Sequence, residues 1–377
     1  MHRYLAEFIQ NDLQKKMVIL GGPRQVGKTT LSLQLLGASN EQHPAYLNWD
    51  DVQTRHQLLE GKLPANQPLI VLDEVHKYKN WRNLIKGFYD TRKSSTAFLI
   101  TGSARLDYYR KGGDSLMGRY FFYRLHPLSL YEINAEPTAQ DLEDLLQFGG
   151  FPEMFLDKNS VDWKRWQKER ITRVIRDDLV SLEQIKDVTQ LEMLAGLLTQ
   201  KVGSTLSVQS IATDLSVSHE AIKRWIAILE NVYYCFRISP FGSAKIKALK
   251  KDQKLYLWDW SSVAQPAARL ENLLACNLLK YCHFHEDTVG DQMELRYLRD
   301  KDGREVDFVV IKNGQPLFAV ECKSQNTTVS KAISYYAART DIPIFYQLHL
   351  QADDYEIAAL RTRILPFTTF AKQVLQI

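Results

Sequence analysis

The sequence predicts an α/β chain in three parts: a parallel sheet with crossover helices over residues 1–136, a helical region over 137–240, and a mixed α/β domain over 241–377. Three observations predict it. Short β-rich runs at 17–20, 45–49, 69–72, 97–101 and 120–125 alternate with helix-like stretches, the pattern of parallel strands joined by helices. From 141 to about 238 the apolar residues fall at helical spacing, as in the Leu-rich stretch 191–198. After Pro240-Phe241-Gly242 the β-rich runs return at 254–258, 294–298, 305–311, 317–322 and 343–348. Pro127 and Pro137 punctuate the first change of character.

The chain has 377 residues, room for two or three domains at about 150 residues each. Its 45% hydrophobic and 24% charged content, with 18 Gly and 12 Pro, excludes collagen-like, disordered and disulfide-scaffold classes. No apolar run approaches the ~20 residues a membrane span needs. The opening Met1-His2-Arg3-Tyr4-Leu5-Ala6-Glu7 carries no apolar core of a secretion signal. Cys235, Cys276, Cys282 and Cys322 form no CxxC pair, so a cytoplasmic chain with reduced core thiols is expected. A net charge of +4 permits a polyanionic partner without demanding one.

The run Gly22-Pro23-Arg24-Gln25-Val26-Gly27-Lys28-Thr29 fits GxxxxGK[ST], between the strand at 17–20 and the helix-prone run from Thr30 to Leu36. Glycines at these places let backbone amides wrap a phosphate, and the helix N-terminus adds positive potential. Lys28 is then expected to reach the β- and γ-phosphates of ATP, and the Thr29 hydroxyl to ligate Mg²⁺. The strand Leu69-Ile70-Val71-Leu72 closes on Asp73-Glu74. Two carboxylates ending an apolar strand fit a metal-facing edge: Asp73 for Mg²⁺, Glu74 to polarise the attacking water. The strand at 97–101 leads to Gly102-Ser103, and Ser103 is the candidate sensor of the γ-phosphate.

The run Gly21-Gly22-Pro23-Arg24-Gln25-Val26-Gly27-Lys28-Thr29-Thr30-Leu31, with Leu72-Asp73-Glu74-Val75-His76, Thr101-Gly102-Ser103, Gly118-Arg119 and His126-Pro127-Leu128-Ser129, resembles AAA-type prokaryotic ATP-binding proteins that carry a C-terminal domain of unknown function. The resemblance covers nearly the whole chain. It implies an ATPase, and for Arg119 the role of phosphate sensor or trans-acting finger. No second arginine-bearing sensor motif stands out, so a homo-oligomer is left open and a ring assembly is not implied.

In the middle region, 206–225 reads as helix, tight turn, helix. Ile211, Ala212 and Leu215 make one apolar stripe; Ile222, Trp225, Ile226 and Leu229 make the next, with Ser218 at the second N-cap. The pattern resembles a helix-turn-helix followed by a wing, with His219, Lys223 and Arg224 facing solvent and Lys245, Lys247, Lys250, Lys251 and Lys254 along the wing. Such clustered cations point to DNA phosphates as a partner, although the same features serve partner-binding modules and solvated edges.

At the C-terminal end, Asp307 lies in the strand 305–311, and Asn313-Gly314 signals a hairpin into Leu317-Phe318-Ala319-Val320-Glu321-Cys322-Lys323. Period-two geometry puts Glu321 and Lys323 on one face, with Asp307 beside them on the neighbouring strand. Asp307 and Glu321 then suit Mg²⁺, and Lys323 suits the charge that develops on a phosphate. Glu271, opening the amphipathic run 271–279, offers a further carboxylate for the metal. A helix Glu, a strand Asp and ExK on the next strand resemble the PD-(D/E)xK nuclease fold. His283 and His285 lack partners at metal-ligand spacing and read as ordinary loop residues. The expectation is a Mg²⁺-dependent ATPase coupled to a DNA-binding, DNA-processing module. The alternative is a nucleotide-gated switch whose C-terminal domain binds a partner without cutting.

Overall fold

Five strands build the N-terminal sheet: β1 (Met17–Gly21), β2 (Tyr46–Asn48), β3 (Leu69–Asp73), β4 (Ala97–Thr101) and β5 (Tyr120–Arg124). All neighbours pair in parallel, in the order β2-β3-β4-β1-β5. β1 is buried at every position, and β3 and β4 at four of five. That is why they read as unbroken apolar runs: helices cover both faces of a parallel sheet. The helices Lys28–Leu36, Val52–Leu59 and Trp81–Arg92 lie between consecutive strands. The first ends on Gly37 in the left-handed region, and the second is capped by the Asp51 carboxylate on the Thr54 amide. Trp81, Ile85 and Phe88 bury one side of the third helix among Ile70, Leu72, Phe98 and Ile100. Because the strands are parallel, the segments leaving β1, β3 and β4 emerge at one edge, where an open α/β sheet binds its ligand.

The structure is a computed structural model describing residues 3–103, 106, 116–174, 188–242, 252–324 and 328–377. It forms two units, Met1–Pro127 with Asn231–Tyr233, and Leu128–Glu230 with Tyr234–Ile377. The second unit begins with helices, among them Ala139–Phe148, Pro152–Asp157, Ser160–Arg173, Val188–Leu198, Val208–Asp214 and His219–Asn231. Thr138 and Asp141 form a reciprocal capping box at the first of these.

A mixed eight-stranded sheet follows, from β6 (Cys235–Pro240), β7 (Lys254–Leu257), β8 (Met293–Arg299), β9 (Glu305–Lys312), β10 (Gln315–Cys322), β11 (Phe345–His349), β12 (Tyr355–Ile357) and β13 (Thr362–Pro366). Its order is β12-β13-β11-β10-β9-β8-β6-β7. The hairpin expected at Asn313-Gly314 is present: both residues have positive φ, and Lys312 pairs with Gln315 across it. Between β7 and β8 runs the 23-residue helix Pro266–Thr288, burying Leu270, Leu273, Leu274 and Leu278.

Two differences from the sequence reading stand out. The strand ending at Pro240 pairs with β7 on one side and β8 on the other. Residue 240 is therefore no boundary, and the helical region shares a unit with the C-terminal sheet. His283 and His285 lie within the long helix rather than in a loop, and His285 packs its ring on Tyr281. No described helix is long and apolar enough to cross a membrane, and all four cysteines are free thiols.

Candidate functional site

The phosphate loop leaves β1 at the ligand edge of the first sheet. Gly22 sits at φ +148°, and a Cβ there would lie 2.4 Å from the Leu125 carbonyl oxygen, so backbone passes backbone at a spacing only glycine allows. Gly27, at φ +95°, turns the chain into the helix Lys28–Leu36, whose first amides face the loop. Lys28 is buried, and its ammonium donates to the carbonyls of Gly22 (2.9 Å) and Pro23 (2.7 Å). Val26 is buried at the back of the loop, and its carbonyl accepts from the buried guanidinium of Arg3, which also donates to the His126 carbonyl. Pro23 is buried, Arg24 half-buried, and Gln25 and Thr30 exposed.

Thr29 donates from its hydroxyl to Asp73 Oδ2 at 3.0 Å, joining the loop to the end of β3. Two residues the sequence reading missed complete the shell: Tyr46 on β2 donates to the same oxygen, and Thr101 on β4 donates to Oδ1. The register places Thr101 directly opposite Asp73, whereas Tyr46 stands opposite Val71, two residues back on the same face, and its long side chain reaches forward to the carboxylate. Burial and the Asp73 charge push the Tyr46 hydroxyl well above its usual range, so it stays a donor. Glu74 follows in the left-handed region at φ 57°. Its Oε2 accepts no hydrogen bond but stands 3.4 Å from Lys77 Nζ and 3.7 Å from His76 Nε2. Burial raises its pKa despite the pull of Lys28. Ser103, beyond β4, lies at this same edge with its hydroxyl 3.5 Å from His76 Nε2. A side chain at Gly102 would strike that imidazole.

Arg119 is not at this edge. It immediately precedes β5, its carbonyl accepts from the Met17 amide, and its guanidinium grips the Asp90 carboxylate at 2.9 and 3.2 Å. Since β1 and β5 run parallel, Arg119 lies at the opposite end of the sheet from the loop, roughly 15 Å away over five residues. That placement corrects the expectation of a phosphate sensor for the chain's own nucleotide.

In the second unit, Asp307 on β9 and Glu321 on β10 come together as expected. The Cys322 amide donates to Asp307 Oδ2 (2.8 Å), and Lys323 pairs with Glu321 Oε1 at 2.6 Å. Glu321 Oε2 is buried and accepts no hydrogen bond. Burial and then the charge of Asp307 raise Glu321 to about 8; the same two causes raise Glu271 to about 7. Asp307 is also raised, by burial first.

Lys254 overturns its assignment to a solvent-facing wing. It opens β7, is 1% exposed, and its ammonium reaches Glu305 Oε1 (2.6 Å), Glu271 Oε1 (3.2 Å) and Asp307 Oδ1 (3.8 Å). Tyr256, two residues on along the same strand face, donates to Glu271 Oε1 at 2.7 Å. A lone lysine–carboxylate pair lowers the acid's pKa. Here the acids rise nonetheless, because burial and their mutual repulsion outweigh one ammonium. Among the described residues, no three or more His, Cys, Asp or Glu side chains are grouped to hold an ion by themselves. Asp307 and Glu321 nonetheless fit a hard cation of the Mg²⁺ type, which takes one or two carboxylates and keeps several waters.

The helix pair of the middle region is as expected. Ser218 caps His219–Asn231 through the Ala221 amide, the two stripes are buried, and Lys223 and Arg224 are exposed. The antiparallel pair β6–β7 follows. Lys245, Lys247, Lys250 and Lys251 lie outside the described residues.

Residues 14–134 match the model of an AAA domain. The chain thus carries an AAA-type P-loop ATPase domain, ahead of a mixed-sheet C-terminal region. Residues 139–271 and 268–370 match two domains of unknown function, DUF8612 and DUF4143. The chain is 24% identical over 370 residues to an uncharacterized protein of Methanocaldococcus jannaschii, covering 88% of this chain and 81% of that one. It is 24% identical over 337 residues to an uncharacterized protein of Mycobacterium tuberculosis, covering 87% and 74%. Among solved structures it is similar to AMPPCP-bound DnaA from Aquifex aeolicus, at TM-score 0.32 and 14% identity over 60% of this chain and 86% of that one. It is also similar to the Aeropyrum pernix ORC1 protein in complex with DNA, at TM-score 0.30 and 13% identity over 72% and 90%.

Proposed function

We propose that the chain is a Mg²⁺-dependent ATPase whose nucleotide state governs a C-terminal module that engages DNA. The observation that carries the ATPase reading is the junction of Thr29 with Asp73 beside the buried ammonium of Lys28. The amides from Gly22 to Thr30 cradle the phosphates, and Lys28 trades its two carbonyls for phosphate oxygens. Thr29 and Asp73 hold Mg²⁺, which when bound supplies charge neutralisation on the phosphates. Glu74 orients the attacking water, and Ser103 meets the γ-phosphate. Arg119, at the far edge, is left a role only toward a second copy of the chain. Measuring ATP binding and hydrolysis in Lys28→Ala and Glu74→Gln tests this: the first is to lose affinity, the second turnover.

For the second unit we propose a nuclease-like, metal-dependent site formed by Asp307 and Glu321, the orphaned Glu321 Oε2 being the supporting observation. Asp307 and Glu321 would hold a divalent cation, which would supply the lowering of a water's pKa toward neutrality, and Lys323 offsets charge on the scissile phosphate. Lys223 and Arg224 on the capped helix are the candidate phosphate contacts, so DNA affinity should fall with salt at a slope near 0.9 per phosphate neutralised. A second reading, a switch that binds without cutting, is favoured by the ammonium of Lys254 already neutralising part of the cluster. Incubating supercoiled and linear DNA in Mg²⁺ or Mn²⁺ with wild type, Glu321→Ala and Lys28→Ala separates them. Cleavage by wild type that Glu321→Ala abolishes supports the first. No cleavage with intact DNA binding supports the second.

A further inference from the structure

We propose that Lys254 is the fixed cation of the carboxylate site. It fills the half that faces Glu271 and Glu305, so that a single divalent cation enters, at the half formed by Asp307 and Glu321. The inference rests on the metal-dependent reading of this site and adds its stoichiometry and its division of labour.

The four carboxylates are not equivalent. Glu271 Oε1 accepts from both Tyr256 and Lys254. Glu305 is held between Lys254 (2.6 Å) and Arg299 (3.1 Å). Asp307 turns Oδ1 toward Lys254 and receives the Cys322 amide on Oδ2. Glu321 differs: Lys323 takes Oε1, and Oε2 has no donor although the residue is only 4% exposed. A buried carboxylate oxygen without a donor is costly and calls for a cation or a proton. Glu321 stands on β10 next to Asp307 on β9, since Phe308 and Val320 are partners in the register. The unfilled demand for positive charge therefore lies on that side of the cluster.

Lys254 is not free to make way for an ion. Its backbone pairs with Ile238 in the β6–β7 ladder, its side chain is 1% exposed, and its ammonium also lies 5.6 Å from the centre of the Tyr297 ring. A second divalent ion at Glu271 would have to sit against this immobile ammonium, and like charges in a buried site repel strongly. Glu271 thereby becomes a positioning residue that holds Lys254, not a metal ligand.

The test is a titration of nucleotide-free, full-length protein with Mn²⁺, every sample carrying Asp73→Asn so that the phosphate-loop carboxylate adds no ion to the count, following unbound Mn²⁺ by electron paramagnetic resonance. Wild type should bind one ion; Glu271→Gln should still bind one, and Glu321→Gln should weaken it by about tenfold or more. Lys254→Met should bind a second ion, or the first at least about tenfold more tightly. Two ions in wild type, or equal losses in Glu271→Gln and Glu321→Gln, would overturn the proposal while leaving the metal reading intact. No Mn²⁺ bound by any of the four proteins would overturn the metal reading and the proposal with it. Binding by Lys254→Met alone would show the lysine excluding metal entirely, overturning the one-ion site in favour of a module that does not cut. Should Lys254→Met fail to fold, the comparison of wild type, Glu271→Gln and Glu321→Gln still decides the matter.

Discussion

Replacing Lys28 by Ala removes the one ammonium buried in the phosphate loop, and its effect on ATP affinity can be worked from the contacts. At an effective dielectric constant of about 20, a unit charge about 4 Å from a phosphate charge is worth roughly 4 kcal/mol. Wild type must first release the carbonyls of Gly22 and Pro23, which hold the ammonium at 2.9 and 2.7 Å; at about 0.5–1 kcal/mol each, these offset part of the gain. The net loss on deletion is about 2–3 kcal/mol, or roughly 30- to 150-fold in affinity. Isothermal titration of ATP in Mg²⁺ into wild type and Lys28→Ala measures it, with a thermal melt to show that both are folded. The space vacated by the lysine side chain leaves room for water to meet the two freed carbonyls, so the fold should survive. Equal ATP affinity in the two proteins would refute the placement of phosphates over this loop.

The other expected outcomes concern the same two sites. Glu74→Gln keeps shape and partners but removes the charge, so ATP affinity should stay within about threefold while turnover drops about 10²–10⁴-fold; an undiminished steady-state rate would remove Glu74 from the chemistry. Arg119→Ala should leave ATP affinity unchanged, because the side chain pairs with Asp90 at the far edge of the sheet; a loss of about tenfold in the same titration would contradict that placement. Glu271 and Glu321 bind protons more tightly folded than unfolded, at about 7 and about 8 against an ordinary 4.5. Their stabilising protonation is complete below about pH 4.5 and is lost as pH rises through 7–8. Melting in EDTA should therefore show falling stability over that window, and Glu321→Gln should flatten the fall; a wild-type profile level from about pH 6 to 9 would refute the clustering.

How much of this was legible in the sequence depended on how local each signal was. The phosphate loop is eight consecutive residues between a strand and a helix, so the motif carried its own structural context. Asp307, Glu321 and Lys323 were legible because the Asn313-Gly314 turn fixes the register between their strands. Tyr46 and Thr101 were not, because they reach Asp73 only through the lateral order of the sheet, which no local pattern encodes. Lys254 was misplaced by counting it with its lysine neighbours in sequence. The alternation Lys254-Leu255-Tyr256 already put Lys254 and Tyr256 on one face, but its partner Glu271 lies on a helix whose docking the sequence does not give. The error over Arg119 was avoidable: a residue preceding a strand parallel to β1 must lie at the edge away from the loop. β12 and β13 went unread because they are short and carry charged residues, such as Glu356 and Arg363, that break the apolar signal.

Lys28 and Lys254, both buried, show how the same side chain can be made exchangeable or permanent. Lys28 rests on neutral carbonyls, and an incoming phosphate, bearing full negative charge, competes for its ammonium on favourable terms. Lys254 rests on carboxylates of one strand and a helix, so an anion has nothing to offer it that its partners do not already supply. Removing it would leave uncompensated buried charge, the costly way to break such a site. A phosphate brought to the second unit must therefore be met by something other than Lys254. The residues placed to do so are Lys323, whose side chain is 40% exposed, and a cation held by Glu321. The chemistry proposed for this unit thus turns on the side of the cluster that Lys254 leaves unneutralised.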